Sequence, residues 1–597
     1  MFNKNTTCPC WLSGATVPYI IACGLATLFF GISAIFPYQM SPDVAVQLKS
    51  VQQFIDGTTP MVNMVTMPDF QDLSLDQSIW IRWWPPGVPV IFLPLAMAGL
   101  PLGVAVKITA YLFFITGSIG WLTIADKAGV GLRERIVFAF VIPLFSFSIV
   151  TLTMLWADVL PFGFMPWLML YALSYRKRLE NADGSRMSLL MHACLLGLLL
   201  GFVVWIKYSV LFVSLGILLY LAIYIFLFTR THPLLKRCLL FITMIIGFLL
   251  PLYYLAYLNT LHTGGSSSVA ELSCFFSQRK PLTDIAWLVT SFFGSFGLVL
   301  FQAYGWIMHL TCHSSIFFPS SIPTTGYDRV MLAARLGLPL SVIFLWFFFT
   351  ARKFINRQFF LFACCVTLVP FACLLFYTIV SWWNILIFGV QRYTSASIII
   401  AHLLIIISFI SFSGGHRKGL GRMFVVFLVL FCFCLPILFY LGYFFKDGVY
   451  DKVKLHYAPG KNYLFTPELS KNNARFVIAT IKRALRSKED VVVFANIDTY
   501  GSTFGSWLEI GQRSIALTTN WYIFSYALGQ RSHLENSAVF LTSRDLRVVL
   551  VFPHRYEEEG IGEKVKKRFP QAKEWIPVLN DRSVEDIVSV WYADLKT

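Results

Sequence analysis

The sequence predicts an α-helical polytopic membrane protein of about 11–13 hydrophobic segments, with a C-terminal extramembrane α/β domain. Three observations predict it. Hydrophobic residues fill 57% of the 597 positions and charged residues only 13%, against roughly a quarter charged in soluble domains. Apolar runs near the ~20 residues that span a bilayer recur along the chain, separated by connectors rich in Lys and Arg. After Phe445 the apolar runs shorten and mixed charge sets in. The mean hydropathy of +0.67 agrees with the first of these.

The first apolar run, 17–37, follows a short N-terminus containing Lys4 and lacks a small-x-small cleavage site. It reads as a retained helix with the N-terminus in the cytoplasm. Further crossings are predicted at 104–125, 136–155, 160–175, 188–206, 209–228, 238–257, 335–350, 358–380, 393–412 and 423–445. With these spans the basic connectors 126–135, 176–187, 230–237, 352–357 and 414–422 share one side, which the positive-inside rule makes cytoplasmic.

Two apolar stretches do not fit as single crossings. Residues 88–100 are too few to span and are punctuated by Pro89 and Pro94, with Pro85, Pro86 and Pro101 at the flanks. They predict an interfacial or re-entrant helix on the outer surface. Residues 285–310 are long enough to cross but would invert everything after them, and are placed as juxtamembrane.

The expected organisation is a membrane domain over 1–445, with a first outer loop at 38–103, and a soluble α/β domain over 446–597 on the outer face. In the latter, 470–487 and 556–568 have helical spacing, while 491–496, 546–553 and 587–595 read as strands. Neither a P-loop nor a Gly-rich dinucleotide fingerprint occurs in it.

Charge and cysteine usage narrow the class further. The formal net charge of +17 belongs to cytoplasmic loops and lipid headgroups. No nucleic-acid motif accompanies it, so membrane lipids are expected partners and nucleic acid is not. The 12 cysteines lie mainly in apolar segments, with none after Phe445. They form neither a disulfide framework nor a zinc pattern, and read as buried thiols.

The chemistry-bearing residues follow from the same topology. Asp43, Arg82, Asp158, Lys207, Tyr208, Asn259, Arg392 and Tyr393 interrupt or flank the outer helix ends, all on one side. Ionisable groups at membrane depth are expensive and mark a cavity or pathway. Each alone also has a plain structural reading: Lys207 and Arg392 as snorkelling side chains, the tyrosines as interfacial anchors, Asp158 as a helix cap. Their joint placement in one leaflet favours a site.

The order of these residues resembles that of the C-type glycosyltransferases, which are integral-membrane enzymes dependent on polyprenyl-phosphate sugars. The resemblance is to the branch of the protein O-mannosyltransferases and the lipid A aminoarabinose transferase. It rests on Asp43 early in the first outer loop with Ala45 and Gly57 behind it, on Trp83-Trp84-Pro85-Pro86-Gly87, and then on Asp158, Lys207-Tyr208, Asn259 to Gly265, and Arg392-Tyr393. It covers about residues 17–445.

The resemblance implies transfer of a hexosyl or pentosyl group, with inversion, from a polyprenyl-phosphate donor to a lipid, glycan or protein acceptor. The reaction would take place on the outer face of a bacterial plasma (inner) membrane. Such a reaction needs a base for the acceptor hydroxyl and cations for the departing phosphate. Asp43 is then the base, and Arg392, Lys207 and Arg82 bind the donor phosphate, Arg392 through a bidentate contact. Tyr393, Tyr208, Asp158, Asn259, Trp83 and Trp84 become substrate contacts. Val44 follows Asp43 where many relatives carry a second acid, which speaks against a paired-acid mechanism. No metal site and no certain cofactor are predicted, although a divalent metal stays open.

Other signals are weaker. His309 and His313 share a helix face but lack the Glu of a zinc-protease motif, and Asp69, Asp72 and Asp76 read as a solvated acidic face. The rival function is a transporter or flippase of a lipid-linked or small anionic substrate, using the same charged cluster for passage. The sequence has neither the internal repeat nor the paired broken helices of that class. A scaffold whose working part is the outer domain is the third reading.

Overall fold

The computed structural model describes residues 16–35, 39–40, 47–48, 50–51, 54–55, 57, 63–66, 77–80, 85–100, 102–144, 154–155, 157–180, 186–229, 232–263, 292–294, 326–381, 394–413, 479–487, 490–495, 513–517, 546–554, 557, 560–578 and 588–595. Its N-terminal part is a helical bundle of α1 (Val17–Ile35), α2 (Gly87–Met97), α3 (Leu102–Lys127), α4 (Leu132–Leu144), α5 (Val159–Glu180), α6 (Arg186–Phe202), α7 (Val210–Ile223), α8 (Leu234–Thr263), α9 (Gly326–Ala351), α10 (Arg357–Ser381) and α11 (Ser395–Ser413). Among the described residues, five helices are long and apolar enough to cross a membrane: Val104–Lys127, Met187–Trp205, Val210–Phe228, Leu234–His262 and Arg357–Phe376. The architecture is that of a polytopic helical membrane protein.

Most elements fall where their apolar runs predict, and the departures have local causes. A crossing is expected over 136–155; α4 covers Leu132–Leu144, with Pro143 in its last described turn, and 145–153 lie outside the described residues. Met154–Leu155, inside the expected crossing, forms strand β4, parallel to β1 (Gln39–Met40).

Helix α5 runs on past the expected 175 because Arg176-Lys177-Arg178-Leu179-Glu180 are good helix formers. An Arg176–Glu180 pair at 3.8 Å supports that extension. The 30 residues of α8 make a rod of about 45 Å, longer than the ~30 Å hydrocarbon core. The short helix expected over 88–100 is α2, whose 11 residues reach only about 16 Å. Of the stretch 285–310 only 292–294 are described, as one helical turn, and 423–445 lie outside the described residues.

Small residues let these helices approach closely, as helix pairs in lipid require. At the α6–α8 contact a Cβ on Gly197 would overlap the Met244 carbonyl oxygen, one on Gly201 would meet the Phe248 oxygen at 2.5 Å, and one on Gly247 the Cys194 oxygen at 2.6 Å. Backbone thus packs on backbone from both sides. Gly163 against Phe113 joins α3 to α5, and Gly216 against Cys365 joins α7 to α10. Gly197→Ala is expected to cost about 1–3 kcal/mol through overpacking. Gly24→Ala, whose Cβ meets nothing within 4 Å, should be silent. Thermal midpoints of the two variants in one detergent check this.

One end of the bundle collects the basic connectors. Glu180, at the end of α5, accepts the Tyr224 hydroxyl beyond α7 and the Gln358 amide of α10 at 3.4 Å. His232, ahead of α8, reaches the Leu179 carbonyl at 3.2 Å. Helix α3 runs alongside α5, with Gly117 on Phe162 and Gly120 on Pro166, so its basic end with the Asp126–Arg135 pair lies toward the same side. The first residue of α5, the α6–α7 junction and the last turn of α8 therefore lie at the opposite end.

The C-terminal part holds a five-stranded sheet in the order β6 (Arg513–Leu517), β5 (Val491–Ala495), β7 (Leu546–Pro553), β9 (Val588–Leu595), β8 (Ile576–Pro577). The first three strands are parallel, and β9 and β8 are antiparallel. Val548 to Phe552 are buried on both faces of β7, as parallel strands with covered faces require. Strands β6 and β8 escape the sequence reading because they are short and carry little periodicity. The helix expected over 556–568 is interrupted at Gly560, which takes φ 68°: Glu557 before it is helical and α12 (Ile561–Lys566) follows. Arg547 of β7 forks onto Asp594 of β9 at 2.7 and 2.9 Å, while buried Asp490 accepts the Ser487 and Arg547 amides at 2.8 and 3.1 Å. These bonds fasten the ends of the central strands.

Candidate functional site

Four of the residues singled out from the sequence, Asp158, Lys207, Tyr208 and Asn259, are described, and all four lie at the end of the bundle opposite the basic connectors. Asp158 stands immediately before α5, its carbonyl accepting the Phe162 amide at 3.1 Å. A carboxylate there faces the positive end of the helix dipole. Its side chain is ion-paired with the Lys207 ammonium, with 0% of the Asp158 side chain and 11% of the Lys207 side chain exposed. The partners are 49 residues apart in sequence, so the pair joins the start of α5 to the junction between α6 and α7.

Lys207 is held in that junction because α6 does not run straight into α7. After Phe202 the backbone tightens into a 3₁₀ turn, Val203–Trp205, and α7 begins only at Val210. The Trp205 indole donates to the Pro251 carbonyl at 2.9 Å and its ring stacks on Tyr254 at 5.7 Å. The junction is thereby fastened to α8.

Tyr208 and Asn259 form the second half of the constellation. The two side chains are hydrogen-bonded; burial pushes the Tyr208 phenol up from its ordinary range, and the bond from Asn259 pulls it part of the way back. The Trp80 indole N–H donates to Asn259 Oδ1 at 2.8 Å. Trp80 also stacks on His262, with centroids 4.8 Å apart and planes at 11°.

The segment between α1 and α3 meets this end of the bundle at three places. Strand β1, three residues before Asp43, pairs with β4, three residues before Asp158. The β2 (Asn63–Thr66) and β3 (Gln77–Trp80) hairpin ends on Trp80. Gly87 sits so close to the junction that a Cβ there would meet the Trp205 carbonyl oxygen at 2.5 Å. Asp43, Arg82, Trp83, Trp84, Arg392 and Tyr393 lie outside the described residues, as do Asp69, Asp72, Asp76, His309 and His313. Among the described residues no group of three or more His, Cys, Asp or Glu is arranged to hold a metal ion.

Sequence reasoning missed Trp80, Trp205 and His262. Trp80 lies three residues before the quoted Trp83–Gly87 segment, which was the available signal. Nothing in the local sequence points to Trp205 or His262, because their partners are distant in the chain.

Fold and site together define a polytopic membrane protein with a buried ion pair and an indole–carboxamide–phenol chain at one end of its helices. No family model matches the sequence, and no curated protein matches it. Among solved structures, the chain is similar to the crystal structure of ArnT from Cupriavidus metallidurans bound to undecaprenyl phosphate, with 10% identity, 97% of this chain and 98% of that chain covered, and a TM-score of 0.44. The apo structure of the same protein gives 12% identity, the same coverage and a TM-score of 0.41. Similarities this low do not by themselves assign the chain to a family.

Proposed function

We propose that the chain transfers a sugar from a polyprenyl-phosphate-linked donor to a lipid, glycan or protein acceptor on the outer face of the membrane. The observation that carries this reading is the convergence of Asp158, Lys207, Tyr208 and Asn259, from three separate helix ends, opposite the basic end of the bundle. A cation, a phenol and a carboxamide gathered at a helix end suit a phosphate and its attached sugar.

In the proposed reaction the acceptor hydroxyl oxygen bonds to the anomeric carbon while the bond from that carbon to the phosphate oxygen breaks. The hydroxyl proton passes to the Asp43 carboxylate, and the polyprenyl phosphate leaves with both bonding electrons. Arg392, Lys207 and Arg82 neutralise that phosphate, while Tyr208, Tyr393, Asn259, Asp158, Trp83 and Trp84 line the donor and acceptor. No resident cofactor is needed for this balance.

The test separates transfer from transport. Purified protein in detergent is mixed with the lipid-linked sugar pool extracted from cells that lack it, together with an envelope extract from the same cells. A transferase consumes one lipid-linked sugar and releases polyprenyl phosphate. Micelles offer no second compartment, so a flippase leaves the pool unchanged, and an unchanged pool overturns the proposal.

A further inference from the structure

Lys107 is an ionisable side chain inside a membrane-crossing helix. It stands in the second turn of α3, within the apolar span Val104–Lys127. Its side chain is partly buried, and Ala105, Val106 and Ala110 around it are buried in the core. A charge at membrane depth is costly and marks a cavity or a pathway.

The neighbours of Lys107 on one stripe of α3 fix its place, since positions four and seven apart share a helix face. Four residues on, Tyr111 is hydrogen-bonded to Thr27 at 2.7 Å and stacks on Phe30 of α1, with centroids 4.4 Å apart. Seven residues on, Phe114 stacks on Phe162 of α5, with centroids 4.9 Å apart. Lys107 therefore lies between α1 and α5, about 10 Å nearer the site end of the bundle than Phe114. Asp158, four residues before Phe162, is about 6 Å nearer that end. The two charged residues are thus at nearly one height, and a side chain on α3 leans toward the same end. At that end β1, which follows α1, pairs with β4, which precedes Asp158.

Charge gives the position its meaning. Asp158 and Lys207 are paired, and together they are neutral. The phosphodiester of a lipid-linked sugar carries one negative charge, whereas the polyprenyl phosphate that leaves is a monoester of about −1.5 to −2 at neutral pH. A cation on a separate helix, held where that charge develops, stabilises the departing group more than the bound donor.

We propose that Lys107 is a further phosphate-binding residue of this site, placed by α3 between the end of α1 and the start of α5 to take the charge that the polyprenyl phosphate gains as it leaves. The inference rests on the reading that this site takes a polyprenyl phosphate. In the sequence Lys107 is a single charge in an apolar run, and the ring stacks of Tyr111 and Phe114 are what place it.

The experiment titrates the purified full-length protein in detergent, by calorimetry, with undecaprenyl phosphate and with its methyl phosphodiester. The two ligands share the tail and, at a pH of about 8, differ by one charge. Lys107→Met should weaken undecaprenyl phosphate binding about ten- to a hundredfold, the effect of a hydrogen bond to a charged group, and weaken the diester less. Lys107→Arg keeps the charge and should restore the preference for the monoester. Lys127→Met, which removes an exposed ammonium at the other end of α3, should bind both ligands as wild type does.

Wild-type-like binding by Lys107→Met would make the residue a lysine that snorkels to lipid headgroups and overturns its role. An equal loss for both ligands, or an arginine variant without preference for the monoester, overturns it as well. Absence of undecaprenyl phosphate binding by the wild-type protein overturns the functional reading and the inference with it.

Discussion

Replacing Lys207 with Met is expected to destabilise the protein by about 3–5 kcal/mol, because it strands a fully buried carboxylate. Asp158 has no exposed side-chain surface and Lys207 only 11%, so water cannot take the place of the ammonium. Met has nearly the length of the lysine stem, which confines the change to the charge. The double variant Asp158→Asn/Lys207→Met removes both charges and should recover most of the loss. Replacing both partners of a buried pair is often close to neutral, whereas removing one is not.

The single change should lower the thermal midpoint in detergent by roughly 3–5 °C, since the shift per kcal/mol shrinks with chain size to about 1 °C for some 600 residues, with scan rates matched because unfolding of such proteins is often irreversible. A Lys207→Met midpoint equal to that of wild type would mean that the ion pair does not form in the folded protein. Sugar transfer by the double variant is then informative in its own right. A stable protein without transfer would assign the Lys207 charge to the ligand as well as to Asp158.

Exchange of Asp43 for Asn is expected to reduce sugar transfer by about 10²–10⁴-fold, the usual contribution of a general base, at unchanged membrane levels and thermal midpoint. The amide has the shape of the carboxylate but does not accept the hydroxyl proton. An Asp of ordinary pKa, about 4, is a weak base toward an alcohol. Its help is therefore concentrated late in the reaction, when the phosphate is already departing and the hydroxyl has become acidic.

The check is mass spectrometry of envelope glycolipids, glycans and glycoproteins from cells lacking the protein and rescued with wild type or Asp43→Asn. One modification should return only with wild type, and its lipid-linked donor should accumulate with the variant. Full rescue by Asp43→Asn would remove Asp43 as the base and favour transport.

The membrane character of this chain was legible because it is written locally. A run such as 210–228 is apolar over one bilayer thickness whatever surrounds it, and Lys/Arg-rich connectors need no partner to be seen. Strands β5, β7 and β9 were legible for the same reason, since buried strands carry continuous apolar runs. Gly197 and Gly201, spaced four apart in α6, were readable as a close-packing signal and were not read. Where a local breaker interrupted a periodic run the reading failed, as at Gly560 before α12. The short strands β6 and β8 had too few residues to show a period.

By itself, then, the sequence determined which segments are membrane-like and what chemistry its polar side chains offer. Only the tertiary structure decided their pairing. It joined Asp158 to Lys207 across 49 residues and Trp80 to Asn259 across 179, and it brought the Asn259 side chain to Tyr208. The physical reason is range. Hydropathy and helix propensity are sums over neighbouring residues, whereas a hydrogen bond or a buried ion pair depends on atoms that approach within about 3 Å, a distance set by how every intervening helix packs.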